Sequence, residues 1–587
     1  MELKLRKCPI KDYGIIEQLL YTRGFQLRED MDLFLHPRSA AEYSYELLEN
    51  AQIAARRILK ALVRQEKVYV QVDSDCDGYT SAALLLNYCH RIAPSVVENN
   101  WYYALHTQKI HGIDMDRATE GDYSLIIAPD SSSNEKIKHI NLANQNCDII
   151  VIDHHEASGT QDDPALIVNN QLCNYPNKFL SGVGVVYKVC QCMDIIADTE
   201  YSIEFLDLVA LGLLGDMMDM RQLETRYFIT EGLENVTNPF FKYLADKNEY
   251  SMKGEFNPHT VSWYIAPFIN AVTRVGNYYD KQLVFESMLE WKAGELIQSD
   301  KRGAIAGTEE LRVIQAIRHA SNVKRHQDED KKKLIETMEE KISQFNLLQE
   351  PLLIIQNKGI NDDDPIRGIT GLVANALMAK YNKPTLILNE ITNEETGEIV
   401  WSGSGRGYAT SNVHNWRDYI ANCGDAIFAE GHPFAFGVAF SPDGLARFKE
   451  RIRKDFGTTK FEMSYDVDFI WTMQDEFDNK VLEIGEYANI WGQGVPEPLV
   501  VIEHIKIKDD VKLNLLAKGT LRLDLGPHKT SCIKFGSSAE EYESLLGKTI
   551  TIVGTCAINE WKDNRNPQIQ IKDYFIESVD VWDLFDF

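Results

Sequence analysis

In the first third of the chain, segments with helical spacing of apolar residues alternate with short apolar runs typical of buried strands. From Ala40 to Arg64 apolar residues recur at helical spacing, which predicts an amphipathic helix. The run Lys67–Val72 is rich in valine and predicts a buried strand, and Ser124–Ala128 and Asp148–Ile152 predict further strands. Each of these runs leads within two residues to an aspartate. Such alternation predicts a parallel sheet covered by helices, with functional residues at the carboxyl ends of the strands.

A highly polar stretch, residues 304–346, separates this region from a second one of mixed pattern. It carries both signs of charge without proline, which favours a long solvated helix joining two domains over a nucleic-acid-binding arm. Beyond it, Leu352–Ile355 and Pro384–Leu388 predict strands, and Gly371–Tyr381 predicts a helix between them. After Phe461 short strand-like segments separated by turn residues predict a small β-barrel or sandwich.

Composition narrows the possible partners. The 587 residues include 61 Lys and Arg against 88 Asp and Glu, a net charge of −27, so nucleic acid would be bound through local basic positions or bound cations. The 10 cysteines form no C-x-x-C pair, which argues against structural zinc and favours a reducing, cytoplasmic location. The longest apolar stretch, Phe205–Met218, is broken by Asp207 and Asp216 and is too short to span a bilayer, so we expect no membrane partner.

The first predicted strand ends in the aspartates Asp73, Asp75 and Asp77, followed by Gly78. Carboxylates this close together repel one another, and their burial is costly unless cations neutralise them. Carboxylate oxygens favour Mg²⁺ or Mn²⁺. The pattern D-x-D-x-D-G also opens an EF-hand loop, but that loop requires a glutamate at its twelfth position, where this chain has Leu84. The sequence therefore predicts a site for hard divalent ions that is not a calcium loop.

Further candidate ligands follow the next strands and lie in a later apolar run. Asp130 precedes serines, a context that suits a helix cap as well as a metal ligand. Asp153-His154-His155 follows an apolar strand, and neutral imidazole nitrogens complement carboxylates at metal sites. Asp216 stands inside an apolar run, where a charge must be paired, protonated or bound to metal. Together the clusters predict two divalent ions about 3.5–4 Å apart, an arrangement that activates water and stabilises charge in phosphoester cleavage.

In this order the clusters resemble the four motifs of the DHH phosphoesterases, and the connecting sequence resembles the RecJ family in particular. The resemblance covers roughly residues 40–575. The segments that carry it are residues 180–188, 206–212, 266–271, 368–374, 403–406, 431–437, 492–498, 559–561 and 568–573.

The resemblance implies an α/β fold built from several parts. These are a DHH-type parallel-sheet catalytic domain (1–290), a connecting helical spacer (291–348), a DHH-associated α/β domain (349–457), a C-terminal OB-fold β-barrel that binds nucleic acid (458–578) and an acidic, aromatic tail (579–587). For the tail, a locally packed or disordered end is favoured. Its alternatives are a docking peptide for single-strand-binding protein or another replication or repair protein, and a mimic of DNA.

The same resemblance implies a 5′→3′ exonuclease that hydrolyses single-stranded DNA to 5′-mononucleotides in DNA repair, recombination or replication. Two divalent ions, Mn²⁺ or Mg²⁺, are the implied cofactors, and Asp130 would lie between them. The implied metal ligands are Asp73, Asp75, Asp77, Asp130, His154 and Asp216. His155 would contact the scissile phosphate, and Asp153 would orient the histidines. The residues implied in binding the strand are Ser404, Gly405, Arg406, His432, Lys109 and Trp561.

Some departures from the family pattern touch this site without removing a metal ligand. Phe268 replaces an arginine, Glu430 replaces a glycine, and the basic segment before the second motif retains only His106, Lys109 and His111. Two other functions stay open. One is a DHH phosphoesterase acting on short oligonucleotides or cyclic dinucleotides, and the other is a non-catalytic replication scaffold of the same fold. The full ligand set argues against the scaffold.

Overall fold

The computed structural model describes residues 2–108, 110–158, 161–358, 368–392, 397–408, 413–457, 464–507, 511–561 and 564–577. The chain begins with strand β1 (Glu2–Leu5) and helices α1 (Ile15–Thr22), α2 (Arg28–Leu35) and α3 (Ala51–Val63). The helix predicted from Ala40 was placed too early, because short 3₁₀ turns occupy residues 39–47 and the helix begins only at Ala51. Asn50 has a left-handed φ of 66°, which interrupts the helix at a point that apolar spacing does not reveal.

The first sheet is fully parallel. Its strands are β2 (Val68–Val72), β3 (Trp101–Leu105), β4 (Leu125–Pro129), β5 (Asp148–Asp153) and β6 (Leu166–Asn169). Their order across the sheet is β3-β2-β4-β5-β6. Strands β2 and β4 are buried along their whole length, as continuous apolar runs predict for a sheet covered on both faces. The carboxyl ends of β2, β4 and β5 therefore lie side by side at one edge.

Helices cover this sheet and extend the first core. They are α4 (Cys76–Ile92), α5 (Pro94–Asn100), α6 (Met115–Glu120), α7 (Lys136–Ala143), α8 (Gly182–Ala197), α9 (Leu206–Gly215), α10 (Leu223–Glu234), α11 (Pro239–Lys247), α12 (Glu249–Met252), α13 (Pro258–Tyr264), α14 (Ala266–Val275), α15 (Tyr278–Met288) and α16 (Glu290–Ala293). Helices α4, α8 and α9 pack against one another. Helix α9 is the apolar run seen in the sequence. Its first aspartate, Asp207, is buried and accepts the backbone N–H groups of Thr237 and Asn238.

A long helix connects the first core to a second one. Strands β7 (Leu296–Gln298) and β8 (Glu309–Leu311) pair just before α17 (Arg312–Gln344), which confirms the helix expected in the polar stretch. Near its start, Val313 and Ala316 lie in the first core, whereas Met338 and Ile342 near its end lie in the second. Within the described ranges, no helix combines the length and the apolar character that crossing a membrane requires.

The second sheet follows this helix. Its strands are β9 (Leu353–Asn357), β10 (Thr385–Thr392), β11 (Ile399–Arg406), β12 (Phe428–His432) and β13 (Ala435–Phe440), and its helices are α18 (Thr370–Tyr381), α19 (Trp416–Asn422) and α20 (Pro442–Phe456). The order is β12-β13-β11-β10-β9. Only β9 and β10 pair in parallel, as the predicted strand-helix-strand pattern requires. The other pairs are antiparallel.

The C-terminal region is mainly β-structure. Its strands are β14 (Ser464–Val467), β15 (Phe469–Thr472), β16 (Leu499–Lys506), β17 (Lys512–Leu516), β18 (Thr520–Asp524), β19 (Ser531–Lys534), β20 (Thr549–Trp561) and β21 (Asn564–Ile576), with helices α21 (Asp478–Glu486) and α22 (Ala539–Leu545). Strands β15 to β21 form the third sheet, in the order β15-β16-β20-β21-β19-β18-β17. Strand β14 pairs in parallel with β1, so the first strand of the chain joins the C-terminal region.

A buried ion pair fixes the first helices to the third sheet. Arg23, which follows α1, donates to both carboxylate oxygens of Asp468 at 2.8 and 3.0 Å and to the carbonyl oxygen of Pro496 at 2.8 Å. The side chains of Arg23 and Asp468 are only 1% and 2% exposed. Because both charges have lost their solvent, each depends on the other for compensation.

We expect Asp468→Ala to lower the free energy of unfolding by about 3–5 kcal/mol, because it leaves the Arg23 charge buried and unpaired. Urea unfolding followed by circular dichroism measures the change. Glu329→Ala is the matched control, since it breaks an exposed pair with Arg325 whose partners are 48% and 57% exposed, and should change stability by no more than about 1 kcal/mol. Equal effects of the two substitutions would contradict the expectation.

Candidate metal centre

The predicted ligands come from separate elements that meet at one edge of the first sheet. Asp73 follows β2, Asp130 follows β4, and Asp153 ends β5 with His154 directly after it. Asp216 is the C-cap of α9. Since β2, β4 and β5 are neighbours and α9 packs against α4, their ends converge. The structure thus brings together the residues that the sequence picked out separately.

Two helix N-termini stabilise the aspartates after β2. Asp75 is the N-cap of α4, and its Oδ1 accepts the N–H of Gly78 at 3.0 Å. Asp77 lies in the first turn of α4 and accepts bonds from Ser181 Oγ at 2.8 Å and from the N–H of Gly182 at 2.6 Å, at the start of α8. Helix N-termini favour negative charge, and these hydrogen bonds orient both carboxylates. Burial nevertheless raises the pKa of Asp77.

Asp130 differs from its neighbours because one of its oxygens, Oδ1, has no hydrogen-bond donor among the described residues. Its backbone φ is 61°, in the left-handed region, and its side chain is buried. Within the described part of the chain, Oδ1 of Asp130 accepts no hydrogen bond, although Nε2 of His154 lies 3.2 Å away. Gly182 lies so close that a Cβ atom there would overlap the carboxylate. A buried carboxylate oxygen without a donor, in a cradle kept open by glycine, fits a cation.

The three residues after β5 divide into an orienting group and two histidines of opposite character. The Asp153 carboxylate accepts hydrogen bonds from Nδ1 of His155 at 2.8 Å and from the backbone N–H groups of His154 and Ser133 at 2.7 and 3.1 Å. Although burial opposes its charged form, the His155 hydrogen bond holds the pKa of Asp153 below its ordinary value. Burial works against charge on His155 too, but Asp153 raises the pKa of His155 to about 9. His155 is therefore a cation at neutral pH, and its side chain is 55% exposed.

His154 has the properties of a metal ligand. It is buried, and burial followed by the nearby His155 lowers the pKa of His154, which keeps the imidazole neutral. Its Nε2 lies 3.2 Å from Asp130 Oδ1, 3.6 Å from Asp216 Oδ2 and 3.8 Å from Asp77 Oδ2. Neutral imidazole and carboxylate oxygens at these separations form a divalent-metal donor set.

The donor atoms fall into three groups, and within each group the ligand atoms lie within 4.8 Å of one another. Asp77, His154 and Asp216 form the first, and Asp73, Asp75 and His111 form the second. The third group shares His154 with the first and consists of Asp130, Asp153, His154 and His155. Burial, and then the charges of Asp77 and Asp75, raise the pKa of Asp130 and of Asp216 well above its ordinary value. The cluster therefore carries more negative charge than the protein itself neutralises, and oxygen-rich donors of this kind suit Mg²⁺ and Mn²⁺.

Two arginines lie close together where the second sheet meets the first core. Arg274 is in the last turn of α14, and its buried Nε has no hydrogen-bond partner among the described residues. Arg406 ends β11 and packs so closely on Gly371 that a Cβ atom there would overlap the guanidinium. Burial lowers the pKa of both, and for Arg406 the charge of Arg274 adds to this effect. Because guanidinium stays protonated in proteins, the two arginines together offer a positive charge suited to binding phosphate.

Arg274 was not among the residues predicted from the sequence. The available signal was an isolated basic residue in the last turn of an otherwise apolar helical segment. His106, predicted as a basic position, is only 4% exposed, and burial lowers its pKa. Its Nε2 bonds to the carbonyl oxygen of Gly112 at 2.8 Å, so His106 supports a loop. At the position of the missing family arginine, Phe268 is partly buried against the first core.

The structure locates some of the predicted strand-binding residues. Ser404, Gly405 and Arg406 are consecutive on β11, with Ser404 Oγ 3.3 Å from Thr370 Oγ1. Ala435 on β13 lies opposite Arg406 on β11 and opposite the exposed His432 on β12. Arg406 and His432 are therefore at the same level of the sheet, one strand apart. Lys109, the side chain of Trp561 and the tail from residue 579 lie outside the described residues, and their roles stay predictions.

Two family domains match this chain, the DHH family N-terminal domain over residues 67–213 and the RecJ OB domain over residues 471–573. The chain is 33% identical, over 99% of its length and 98% of the relative, to the SPbeta prophage-derived single-strand DNA-specific exonuclease YorK of Bacillus subtilis. It is 26% identical, over 97% of its length and 69% of the relative, to the single-stranded-DNA-specific exonuclease RecJ of Bacillus subtilis.

A solved structure confirms the predicted fold class. The crystal structure of RecJ in complex with Mn²⁺ from Thermus thermophilus aligns with a TM-score of 0.73 and 17% identity, over 98% of this chain and 80% of that one. The parallel first sheet is the DHH sheet, and the C-terminal β-structure contains the OB domain. The chain belongs to the RecJ family of DHH proteins.

Proposed function

We propose that this protein is a 5′→3′ exonuclease that hydrolyses single-stranded DNA to 5′-mononucleotides with two divalent cations, Mn²⁺ or Mg²⁺. The observation that carries the proposal is the buried Asp130 oxygen that accepts no hydrogen bond from the described residues, set among the other predicted ligands. The relatives YorK and RecJ are named for single-strand-specific exonuclease activity, and the Thermus RecJ crystal contains Mn²⁺. Such an activity would serve DNA repair, recombination or replication.

The residues of the candidate metal centre would have different roles in cleavage. The first and second ligand groups and Asp130 would hold the divalent cations, which when bound supply water activation and charge neutralisation in phosphoester cleavage. His155, kept protonated by Asp153, would donate to an oxygen of the scissile phosphate. Asp153 would act through His155 and His154 by fixing both rings, since its oxygens are already occupied by N–H donors.

The direction of degradation and the selectivity for single strands would come from the arginines beside the ligand groups and from the OB domain. Arg274 and Arg406 would hold the 5′-phosphate, with Ser404 beside it. The OB domain would bind the downstream strand by base stacking and backbone contacts, which need unpaired bases. A narrow path between the two would exclude duplex DNA.

Degradation of an end-labelled strand tests the proposal. A 5′-phosphorylated strand of about 40 nucleotides, longer than one OB site, should yield mononucleotides from its 5′ end in Mn²⁺ or Mg²⁺ and remain intact in EDTA. A blunt duplex should resist, and an RNA strand shows the sugar preference. Asp75→Asn is the inactive control, because Asn caps a helix as well as Asp does while removing the ligand charge.

Other outcomes of this assay point to the alternatives. Survival of long strands together with cleavage of dinucleotides or cyclic dinucleotides would replace the proposal with a short-substrate phosphoesterase. A folded protein that cleaves none of these substrates would be a scaffold.

Asp130→Asn removes the charge of Asp130 while keeping the size of the side chain, and so tests Asp130 as a metal ligand. Asn tolerates the left-handed backbone at this position and removes the charge of a buried carboxylate whose Oδ1 lacks a donor among the described residues. We expect the metal-free variant to be more stable than the wild type, by about 1 kcal/mol or more, since one pKa unit corresponds to about 1.4 kcal/mol. Mn²⁺ should raise the melting temperature of the wild type and not that of the variant. Differential scanning calorimetry in EDTA and in Mn²⁺ measures both effects.

Asp207→Asn is the matched control for this experiment. Asp207 is equally buried, but its Oδ2 accepts backbone N–H groups of Asn238 and Thr237 at 2.6 and 2.8 Å. Its replacement should leave the Mn²⁺ response unchanged. If Mn²⁺ stabilises Asp130→Asn as much as the wild type, the assignment of Asp130 as a ligand is wrong.

Arg406→Ala tests the 5′-phosphate site. We expect kcat/KM on a 5′-phosphorylated strand to fall about tenfold to a hundredfold, because a charge-assisted contact to phosphate contributes roughly 1.5–3 kcal/mol. The preference for a 5′-phosphate over a 5′-hydroxyl should disappear. Arg451→Ala removes one of the two arginines paired with Asp425, and as the control it should leave kcat/KM unchanged. An equal loss on both substrates would show that Arg406 does not bind the terminal phosphate.

A further inference from the structure

His111 lies against the second group of ligands. Nδ1 of His111 contacts Oδ2 of Asp73, and the donor atoms of Asp73, Asp75 and His111 lie within 4.8 Å of one another. The side chain of His111 is 50% exposed, whereas that of Asp73 is 1% exposed. The sequence had placed His111 only in a weakened basic segment, so this contact assigns it a different role.

The loop that carries His111 is fixed by polar contacts on its inner side. Nε2 of the buried His106 bonds to the carbonyl oxygen of Gly112 at 2.8 Å. Nζ of Lys281 donates to the carbonyl oxygens of His106 and of Thr107 at 3.2 and 2.8 Å. A loop held in this way presents its side chains in one place, as a metal ligand requires.

The turn at Gly112 brings His111 back toward Asp73. Gly112 has a φ of 86°, and a Cβ atom there would overlap the carboxylate of Glu135, so glycine is required on both counts. The N–H of Gly112 donates to Oδ1 of Asp73 at 3.1 Å. Oδ1 of Asp73 therefore binds the backbone of the loop, and Oδ2 contacts His111.

This contact differs from the pair formed by Asp153 and His155. Both oxygens of Asp153 accept hydrogen bonds from backbone N–H groups, and the Asp153 carboxylate therefore has donors without a metal ion. Oδ2 of Asp73 accepts no backbone N–H within the described ranges, and the Asp75 carboxylate lies in the same group. A lone carboxylate oxygen, a second carboxylate and an imidazole nitrogen together form a cation donor set.

We propose that Nδ1 of His111 is a ligand of the second cation, together with Asp73 and Asp75. The inference rests on the proposed function, because it concerns a cation that the exonuclease uses. Each cation position then has one imidazole, His154 in the first group and His111 in the second. Mg²⁺ is bound mainly through oxygen, whereas imidazole suits transition metals, so His111 biases the second position toward Mn²⁺.

Metal binding to the full-length, metal-stripped protein tests this assignment. Mn²⁺ binding is counted from the electron paramagnetic resonance signal of free Mn²⁺, and Mg²⁺ binding is measured by calorimetry. The variants are His111→Ala and His111→Asn, the second of which retains a donor toward Asp73 without an imidazole. We expect both to bind the second Mn²⁺ roughly tenfold or more weakly, with Mg²⁺ affinity changed less than about threefold.

His504→Ala is the matched control. His504 is exposed and pairs through Nδ1 with the Glu577 carboxylate at 2.9 Å, far along the chain from the ligand groups, so its loss should not alter metal binding. Equal weakening of Mn²⁺ and Mg²⁺ by His111→Ala, with recovery in His111→Asn, would make His111 a positioning residue for Asp73 and overturn the proposal. Unchanged Mn²⁺ binding would overturn it as well.

The binding result is independent of the strand-degradation result. If wild-type protein degrades single strands but His111→Ala binds both Mn²⁺ ions normally, the exonuclease proposal stands and the ligand assignment fails. If His111 governs Mn²⁺ binding in a protein that degrades no strand, the ligand assignment stands and the exonuclease proposal fails.

Discussion

Repulsion among the aspartates at the edge of the first sheet is the interaction on which the rest of the site depends. Asp73, Asp77 and Asp130 are almost fully buried, and Asp75 and Asp216 lie beside them. Burial of like charges is unfavourable unless donors or cations compensate it. Helices α4 and α8 therefore begin at this edge, where their N–H groups meet Asp75 and Asp77. Two glycines allow this close packing, since a Cβ atom at Gly182 would overlap the Asp130 carboxylate and one at Gly78 would overlap Cβ and the backbone of Asp73.

The number of donors around each carboxylate separates the roles within the cluster. Asp153 is surrounded by N–H groups, stays ionised and holds His155 as a cation. Asp130 has no donor on Oδ1 within the described residues, and burial raises its pKa. In the proposed function, an aspartate of the first kind would orient its neighbours and one of the second kind would bind a cation. The same sequence letter therefore encodes two functions, and only the surrounding backbone distinguishes them.

The strands and the aspartates at their ends could be predicted from the sequence because both are local signals. A short β-branched run followed by Asp places that Asp at a strand end, as at Asp73, Asp130 and Asp153. Contacts made across long distances in the chain were out of reach. Arg274 becomes meaningful only because β11 brings Arg406 beside it, and His111 only because Gly112 turns the loop toward Asp73. The early start assigned to helix α3 has a local cause, since apolar spacing does not register the left-handed Asn50.

The net charge of −27 fits a nuclease because attraction to DNA is needed only at the reacting end. Surface charges are screened beyond about 8 Å at physiological ionic strength, so distant acidic residues repel a strand weakly. In the proposed function, the positive groups near the scissile phosphate would be His155, Arg274, Arg406 and the bound cations. Attraction for the strand would then be concentrated at the ligand groups. Because the cations would supply much of that charge, binding and hydrolysis of the 5′ end would depend on the same ions.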